Sequence, residues 1–222
     1  MSTPTVTRHS LYDYSALPAL RQSIAAKATS VTITNIDTSS IDLALLLQQA
    51  EASASQLYRL SKRSLAPNDS PIDRRLDATL RALNALAAAL FNNLSHVLEL
   101  PWEKYLAEMH EYTAPGADEL HVGRHGSDLA NAWSTLTLLI DPSEPEVCHV
   151  VYGEALAVLS ENQVSAASSL PLSANAGRCI AYYVRLNDTT YYTRSAGALM
   201  TPLTHEEYET RKFVKDLNLA NA

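Results

Sequence analysis

The sequence predicts an α+β domain, with a helical layer in the N-terminal half and a β-rich portion after it. Apolar residues recur every three or four positions through the first half, as on one face of a helix. Beyond residue 118, short β-branched and alternating segments replace that pattern. Helices followed by strands are typical of segregated layers rather than of alternating βαβ units. We therefore expect one domain over residues 1–222, with a helical portion at 1–110, a β-rich portion at 111–203 and a C-terminal helix at 204–222.

Cap residues and apolar stripes define the helices of the first half. Pro18 suits the first turn of a short helix, and the Asp, Thr and Ser residues at 37–40 suit the start of a longer one. The strongest apolar repeat extends from Leu76 to Val97. A β-branched segment at 30–34 lies between these helices and predicts a strand. The predicted helices cover residues 17–28, 43–58, 76–97 and 101–109.

The second half of the chain contains six segments that alternate in polarity or are rich in β-branched residues, both of which favour strands. A polar, charged segment with helical spacing, at about 205–217, predicts the last helix. The predicted strands cover residues 119–124, 134–140, 146–152, 154–159, 178–186 and 189–194.

The composition excludes several functional classes. The formal net charge is −7 without clusters of Lys or Arg, so nucleic acid and anionic membranes are poor partners. No apolar run is long enough to cross a bilayer, and the N-terminus lacks the apolar region of a secretory signal. Cys148 and Cys179 match no zinc or redox spacing, so we expect two reduced, buried thiols in a cytoplasmic protein. The six glycines form no phosphate-binding loop.

The densest group of potential metal ligands is the segment HVGRHGSD at 121–128. His121, His125 and Asp128 together have the composition of a facial iron triad. A helix would place the two histidines on one face, but Gly123 and Gly126 disfavour a helix here. On a strand the two histidines would lie roughly 13 Å apart, too far for one ion. A surface or rim position and a metal-binding role both stay open.

Three further residues are candidates for a site. His149 lies in an apolar segment, where a lone histidine is usually structural. Arg178 opens a predicted strand that also carries Tyr182. An ordinary arginine at the start of a strand and a guanidinium that binds an anion in bidentate fashion fit Arg178 equally well.

The order of several motifs resembles the isopenicillin N synthase-like branch of the iron(II) and 2-oxoglutarate-dependent oxygenases. The segment VTITNID at 31–37 and the following helix are similar to the family's N-terminal strand, N-H-G-I turn and helix. LELPW at 98–102 is similar to its L-G-L-P motif, and WSTLTLLI at 133–140 to the strand after the first iron ligands. YGEALAVLS at 152–160 and RCIAYYV at 178–184 resemble the G-D-x-L-x-x-x-S segment and the strand that begins with R-x-S. The resemblance covers most of the chain and implies a double-stranded β-helix, or jelly roll.

The chain departs from this family pattern at the iron ligands. The H-x-D positions fall on Ala130 and Ala132, no histidine occupies the segment expected to carry the distal ligand, and Ile180 replaces the serine of R-x-S. The six residues between Ile140 and Val147 are too few for the strands that the family places there. The resemblance therefore implies a truncated jelly roll with a degenerate iron site.

These departures lead to a prediction of no cofactor. The chain is expected to be a small-molecule tailoring enzyme of specialised metabolism that works without iron, as an isomerase, cyclase or dehydratase. Arg178, His121, His149 and Tyr182 would act by positioning and acid–base assistance, with Arg178 also holding a carboxylate.

Two alternatives stay open at this point. The first is an active oxygenase in which His121, His125 and Asp128 form an irregular metal set with iron(II) and 2-oxoglutarate. The second is a non-catalytic paralogue that binds a ligand, because a shared fold does not establish an activity.

Overall fold

A computed structural model describes residues 3–53, 58–62, 70–100, 105–124, 134–167, 178–188, 191–192 and 203–204. It contains one seven-stranded sheet and five α-helices in these residues, together with a separate two-stranded pair. In chain order the elements are β1 (Thr5–Thr7), α1 (Arg8–Tyr12), α2 (Leu17–Ala25), β2 (Ser30–Thr34), α3 (Leu43–Ala52), β3 (Tyr58–Ser61), α4 (Pro71–Val97), β4 (Glu119–Arg124), β5 (Leu136–Ile140), β6 (Val147–Tyr152), α5 (Glu154–Leu159), β7 (Arg178–Val184), β8 (Tyr191–Tyr192) and β9 (Leu203–Thr204).

The large sheet has the strand order β1-β2-β6-β5-β7-β4-β3. Strand β1 runs parallel to β2, whereas every other neighbouring pair is antiparallel. A tight turn at 141–146 joins β5 to β6, and the Asp141 side chain closes it by accepting the backbone N–H of Ser143 at 2.8 Å. The turn confirms that the chain has no room for further strands between Ile140 and Val147.

One face of the sheet packs on the helical layer. Side chains of alternate strand residues enter this face, as the two-residue period of a strand requires. They include Leu120 and Val122 on β4, Leu138 on β5, and Ile180 and Tyr182 on β7, and all five are buried in one apolar core with α4. We call this side of the sheet the helix face.

Helix α4 supplies most of the apolar surface opposite this face. Leu80, Leu83, Leu90 and Leu94 follow the helical repeat and are fully buried. Burying a leucine side chain contributes roughly 1.5–3 kcal/mol, so this stripe is a principal reason why the helix stays on the sheet. Pro71 occupies the first turn, where its missing N–H is not needed.

The other strand residues lie on the opposite side of the sheet, which we call the second face. Leu139, Val151, Cys179, Ala181 and Tyr183 form a smaller buried cluster there, with Ala167 packed against them. Within the described residues no helix of the helical layer contributes to this cluster.

The fold class is confirmed, since helices dominate the first half and a sheet the second. Strands β2 and β4 have the predicted bounds. The prediction of a strand at 154–159 is wrong. This segment is α5, because the Ala157 N–H donates to the Gly153 carbonyl and the Ser160 N–H to the Leu156 carbonyl, as in a helix.

Strand β3 is absent from the prediction, which gave Tyr58 to the preceding helix; it pairs with β4 instead. The predicted helix at 205–217 lies outside the described residues. So do residues 101–104 of the helix predicted at 101–109, and the described remainder of that segment contains only a short 3₁₀ turn at Glu108–His110. No helix in the part that the structure describes is long and apolar enough to cross a membrane.

Candidate functional site

The four predicted catalytic residues do not form one site, because they lie on opposite faces of the sheet. Tyr182 and Arg178 belong to the alternate positions of β7 that point toward the helix face. His121 pairs with Ala181 and His149 pairs with Leu139, and both partners lie on the second face. The sheet therefore separates the two histidines from Tyr182 and Arg178.

The two residues on the helix face have local partners there. The Tyr182 hydroxyl donates to Oδ2 of buried Asp118 at 3.1 Å, and burial raises the pKa of Tyr182 well above its ordinary value. The Arg178 guanidinium lies 3.7 Å from the Glu51 carboxylate of α3, and that carboxylate is largely exposed. Arg178 is thus directed toward the helical layer, and its predicted anion-binding role stays a prediction.

The two histidines share the second face but lie far apart. His121, Ala181, Leu139 and His149 occupy one row across β4, β7, β5 and β6. Three strand spacings of about 4.8 Å separate the histidines by about 14 Å, too far to act on one atom. His149 Nδ1 is 3.1 Å from the Thr32 hydroxyl, a local contact between β6 and β2.

His121 is the centre of a polar cluster at the β4 end of this row. Its Nε2 lies 3.1 Å from the Glu119 carboxylate, two residues earlier on the same strand face. Arg185 donates from Nη2 to the same carboxylate oxygen at 3.2 Å and from Nη1 to the Ala117 carbonyl at 2.8 Å. The Tyr183 ring lies beside the imidazole, with 4.7 Å between the ring centroids. We call His121, Glu119, Arg185 and Tyr183 the His121 cluster.

The electrostatics of the cluster keep the imidazole neutral. Burial lowers the pKa of His121, and the positive charges of Arg59 and Arg185 lower it further, although Glu119 opposes them. Burial alone would raise the pKa of Glu119, but Arg185 and the hydrogen bonds hold it below its ordinary value. An ionised carboxylate only accepts hydrogen bonds, so Nε2 of His121 carries the proton and Nδ1 keeps its lone pair.

A second ionic contact lies beside the cluster, at the end of strands β3, β4 and β7. Buried Asp118 accepts the Arg185 backbone N–H at 2.8 Å, and the Lys62 ammonium is 3.7 Å from its other oxygen. Burial raises the pKa of Asp118 and lowers the pKa of Lys62. Both shifts oppose the charged forms, so burial outweighs the attraction between these two groups.

His121 makes one contact that metal-bound histidines commonly make. Such a residue commonly donates its other ring N–H to a carboxylate, as His121 does to Glu119. Among the described residues, no three His, Cys, Asp or Glu side chains come together around one point. His125 and Asp128, and the alanines at 130 and 132, lie outside those residues. The described part of the chain therefore fits one imidazole ligand with its supporting carboxylate.

Comparison with solved structures shows which known fold this is. JOX2, crystallised with 2OG, Fe and JA, has a TM-score of 0.69 at 12% identity over 95% of this chain and 85% of its own. T7H from Neurospora crassa, in complex with alpha-KG and 5-formyluracil, has a TM-score of 0.63 at 11% identity over 95% of both chains. A putative 2OG-Fe(II) oxygenase family protein from Caulobacter crescentus scores 0.64 at 11% identity, over 96% of this chain and 99% of its own.

The chain has the fold of the 2-oxoglutarate and iron(II) oxygenases. No family model matches the sequence, and no curated protein does, so the resemblance in the sequence is confirmed by the fold alone. The prediction of no cofactor is wrong, because JOX2 was crystallised with 2OG and Fe and T7H with alpha-KG. The oxygenase alternative agrees better with these structures than the iron-free enzyme does.

Sequence reasoning missed the partners of His121. The pattern Glu-x-His at 119–121, on a strand with the predicted bounds, already indicates a carboxylate and an imidazole on one face. Arg59 and Arg185 carry no such signal, because their proximity to His121 depends on β3 and β7 pairing with β4.

Proposed function

We propose that this protein is an iron(II) and 2-oxoglutarate-dependent oxygenase that acts on a small molecule. The observation that carries the proposal is the contact between Nε2 of the His121 imidazole and the Glu119 carboxylate, which leaves Nδ1 as the ring nitrogen that keeps a lone pair. The oxygenase fold supports the same assignment, since proteins that share it were crystallised with 2OG and Fe.

We assign the roles in metal binding to the following residues. His121 would bind the metal through Nδ1. His125 and Asp128 are the candidates for the other two ligands, which requires the chain to bend after Arg124, where β4 ends, because a continued strand would hold the two histidines roughly 13 Å apart. Iron(II), when bound, supplies the oxidising chemistry together with oxygen and 2-oxoglutarate. Glu119 fixes the tautomer and orientation of His121, and Arg185 keeps Glu119 ionised. A carboxylate fixed in this way strengthens the imidazole as a ligand.

Isothermal titration of 2-oxoglutarate into the iron(II)-loaded, anaerobic protein tests the proposal. We expect stoichiometric binding that requires the metal and that His121→Ala abolishes. His149→Ala is the matched control, since His149 lies on the same face about 14 Å away and contacts Thr32. Its binding should equal that of the unmodified protein.

Failure of the unmodified protein to bind either iron or 2-oxoglutarate would contradict the oxygenase proposal and leave a ligand-binding paralogue. Retention of both ligands by His121→Ala would contradict the role given to that residue. Circular dichroism and the urea midpoint of each variant establish that the fold is intact.

A further inference from the structure

Arg59 is an exposed cation at the margin of the His121 cluster. It lies on edge strand β3, directly opposite His121 in the pairing with β4. Its neighbour Leu60 pairs with Leu120 on the helix face, so strand alternation places Arg59 on the second face. Residues paired across antiparallel strands have Cα atoms about 4.5–5.5 Å apart. The Arg59 guanidinium can therefore reach a ligand that touches the His121 ring.

Arg59 differs from the other arginine of this area in having no ion-pair partner. Arg185 is bonded to Glu119 and to the Ala117 carbonyl, whereas no carboxylate of the described residues lies within ion-pair distance of Arg59. Arg59 and Arg185 carry two positive charges against the single negative charge of Glu119. Among the described residues of the cluster this leaves one positive charge unmatched, in a chain whose net charge is −7.

We propose that Arg59 binds the carboxylate of the substrate, so that the enzyme takes a small molecule bearing one carboxylate group. This inference rests on the proposed function, since it places the substrate beside His121. A guanidinium matches one carboxylate through two parallel N–H···O bonds. A dianionic phosphate fits less well, because one unpaired cation offsets only half of its charge and the Glu119 carboxylate is close by.

Benzoate is a suitable probe, with benzamide as its neutral isostere and inorganic phosphate as the competing anion. Binding of each is measured by titration calorimetry to the full chain, both metal-free and loaded with iron(II) and 2-oxoglutarate. We expect benzoate to bind more tightly than benzamide or phosphate, and Arg59→Ala to weaken benzoate at least about tenfold. Arg59→Lys should recover part of the affinity, because it keeps the charge but loses the bidentate geometry.

Arg21→Ala is the matched control, since Arg21 is an exposed arginine on α2 with no partner in the described residues. It should leave benzoate binding unchanged. Equal affinity for benzoate and benzamide, tighter binding of phosphate, or an unchanged affinity in Arg59→Ala would each overturn the proposal. If Arg59→Ala does not fold, Arg59→Gln gives the same comparison.

The two proposals fail separately in this experiment. If the unmodified protein does not bind 2-oxoglutarate, the oxygenase assignment is contradicted. Benzoate binding to the metal-free chain that depends on Arg59 would still support the carboxylate site in that case. Normal 2-oxoglutarate binding with no benzoate binding would contradict the carboxylate site alone.

Discussion

Gly153 is closely surrounded by the backbone of Ser134. It precedes α5, directly after β6, and a Cβ atom built on it would lie 1.9 Å from the Ser134 carbonyl oxygen. Gly153 also donates its N–H to the Thr135 carbonyl at 3.0 Å, which holds the two backbones together. Only a residue without a side chain allows this approach, and the sequence shows the glycine but not the backbone that approaches it.

Gly153→Ala should therefore destabilise the protein by about 3 kcal/mol, the upper part of the range for overpacking, because backbone atoms must move. Urea unfolding measures the change. Gly116→Ala is the control, since its Cβ would lie 3.3 Å from the Asn187 side-chain oxygen and would meet the Asn187 Cα only at 3.7 Å, an ordinary contact. Equal destabilisation by the two substitutions would contradict the close approach at Gly153.

Among the secondary-structure elements, the sequence predicts the helices and strands whose hydrophobic periodicity is strong within the element itself. Strands β2 and β4 and helix α4 have strong alternation or strong helical repeats, and their predicted positions agree with the structure. Strand β3 has four residues and exists because it pairs with β4, a partner more than fifty residues away in sequence. The six residues of segment 154–159 fit both the two-residue period of a strand and the 3.6-residue period of a helix, so the residues that pack around the segment decide its conformation.

The ionic contact between Lys62 and Asp118 holds the end of β3 against β4. Lys62→Met and Asp118→Asn should each destabilise the protein by about 3 kcal/mol, because each removes the counter-charge of a buried group. The double variant should recover most of that loss, since no buried charge is left. Urea unfolding of the four proteins gives the coupling free energy.

The control for this cycle is Arg81→Met, which breaks the exposed ion pair with Asp77 and should cost about 0.5 kcal/mol. Strictly additive losses in the double variant would show that Lys62 and Asp118 act independently and would contradict the contact.

In the whole molecule, the two faces of the sheet determine which side chains can contact the same ligand. Alternation in the sequence predicts that Arg178 and Tyr182 share one face of their strand and that Glu119 and His121 share one face of theirs. It does not predict that these two pairs lie on opposite sides, because this depends on the register between β4 and β7. The fold class and most element positions are therefore accessible from the sequence, whereas the composition of the site requires strand order and register.

The buried phenols make the stability of the whole molecule sensitive to alkaline pH. Burial raises the pKa of Tyr152 above its ordinary value of 10.0, with the Ser23 hydroxyl opposing the rise, and among the described residues the Tyr152 hydroxyl forms no hydrogen bond of ordinary geometry. The folded state then keeps a proton that the unfolded state loses, so the stabilisation is complete below pH 10 and is lost as the pH rises from that value through the raised pKa of the folded state. Buried Cys148, with its pKa raised to about 12, acts in the same direction.

Tyr152→Phe should therefore make the alkaline loss of stability less steep, and at pH 7 it should be at least as stable as the unmodified protein. Urea unfolding between pH 7 and pH 11 measures both effects. Tyr12→Phe, at an exposed tyrosine, is the control and should change neither. A loss of more than about 1 kcal/mol at pH 7 in Tyr152→Phe would indicate that the hydroxyl has a partner.

We propose above that His121, on the second face of the sheet, is a ligand of the catalytic metal. Anomalous diffraction from crystals grown with manganese(II), which accepts the same nitrogen and oxygen ligands as iron(II), tests it most directly. We expect one strong peak about 2.2 Å from Nδ1 of His121, with Glu119 still bonded to Nε2. A fully occupied peak elsewhere, with His121 uninvolved, would contradict the claim.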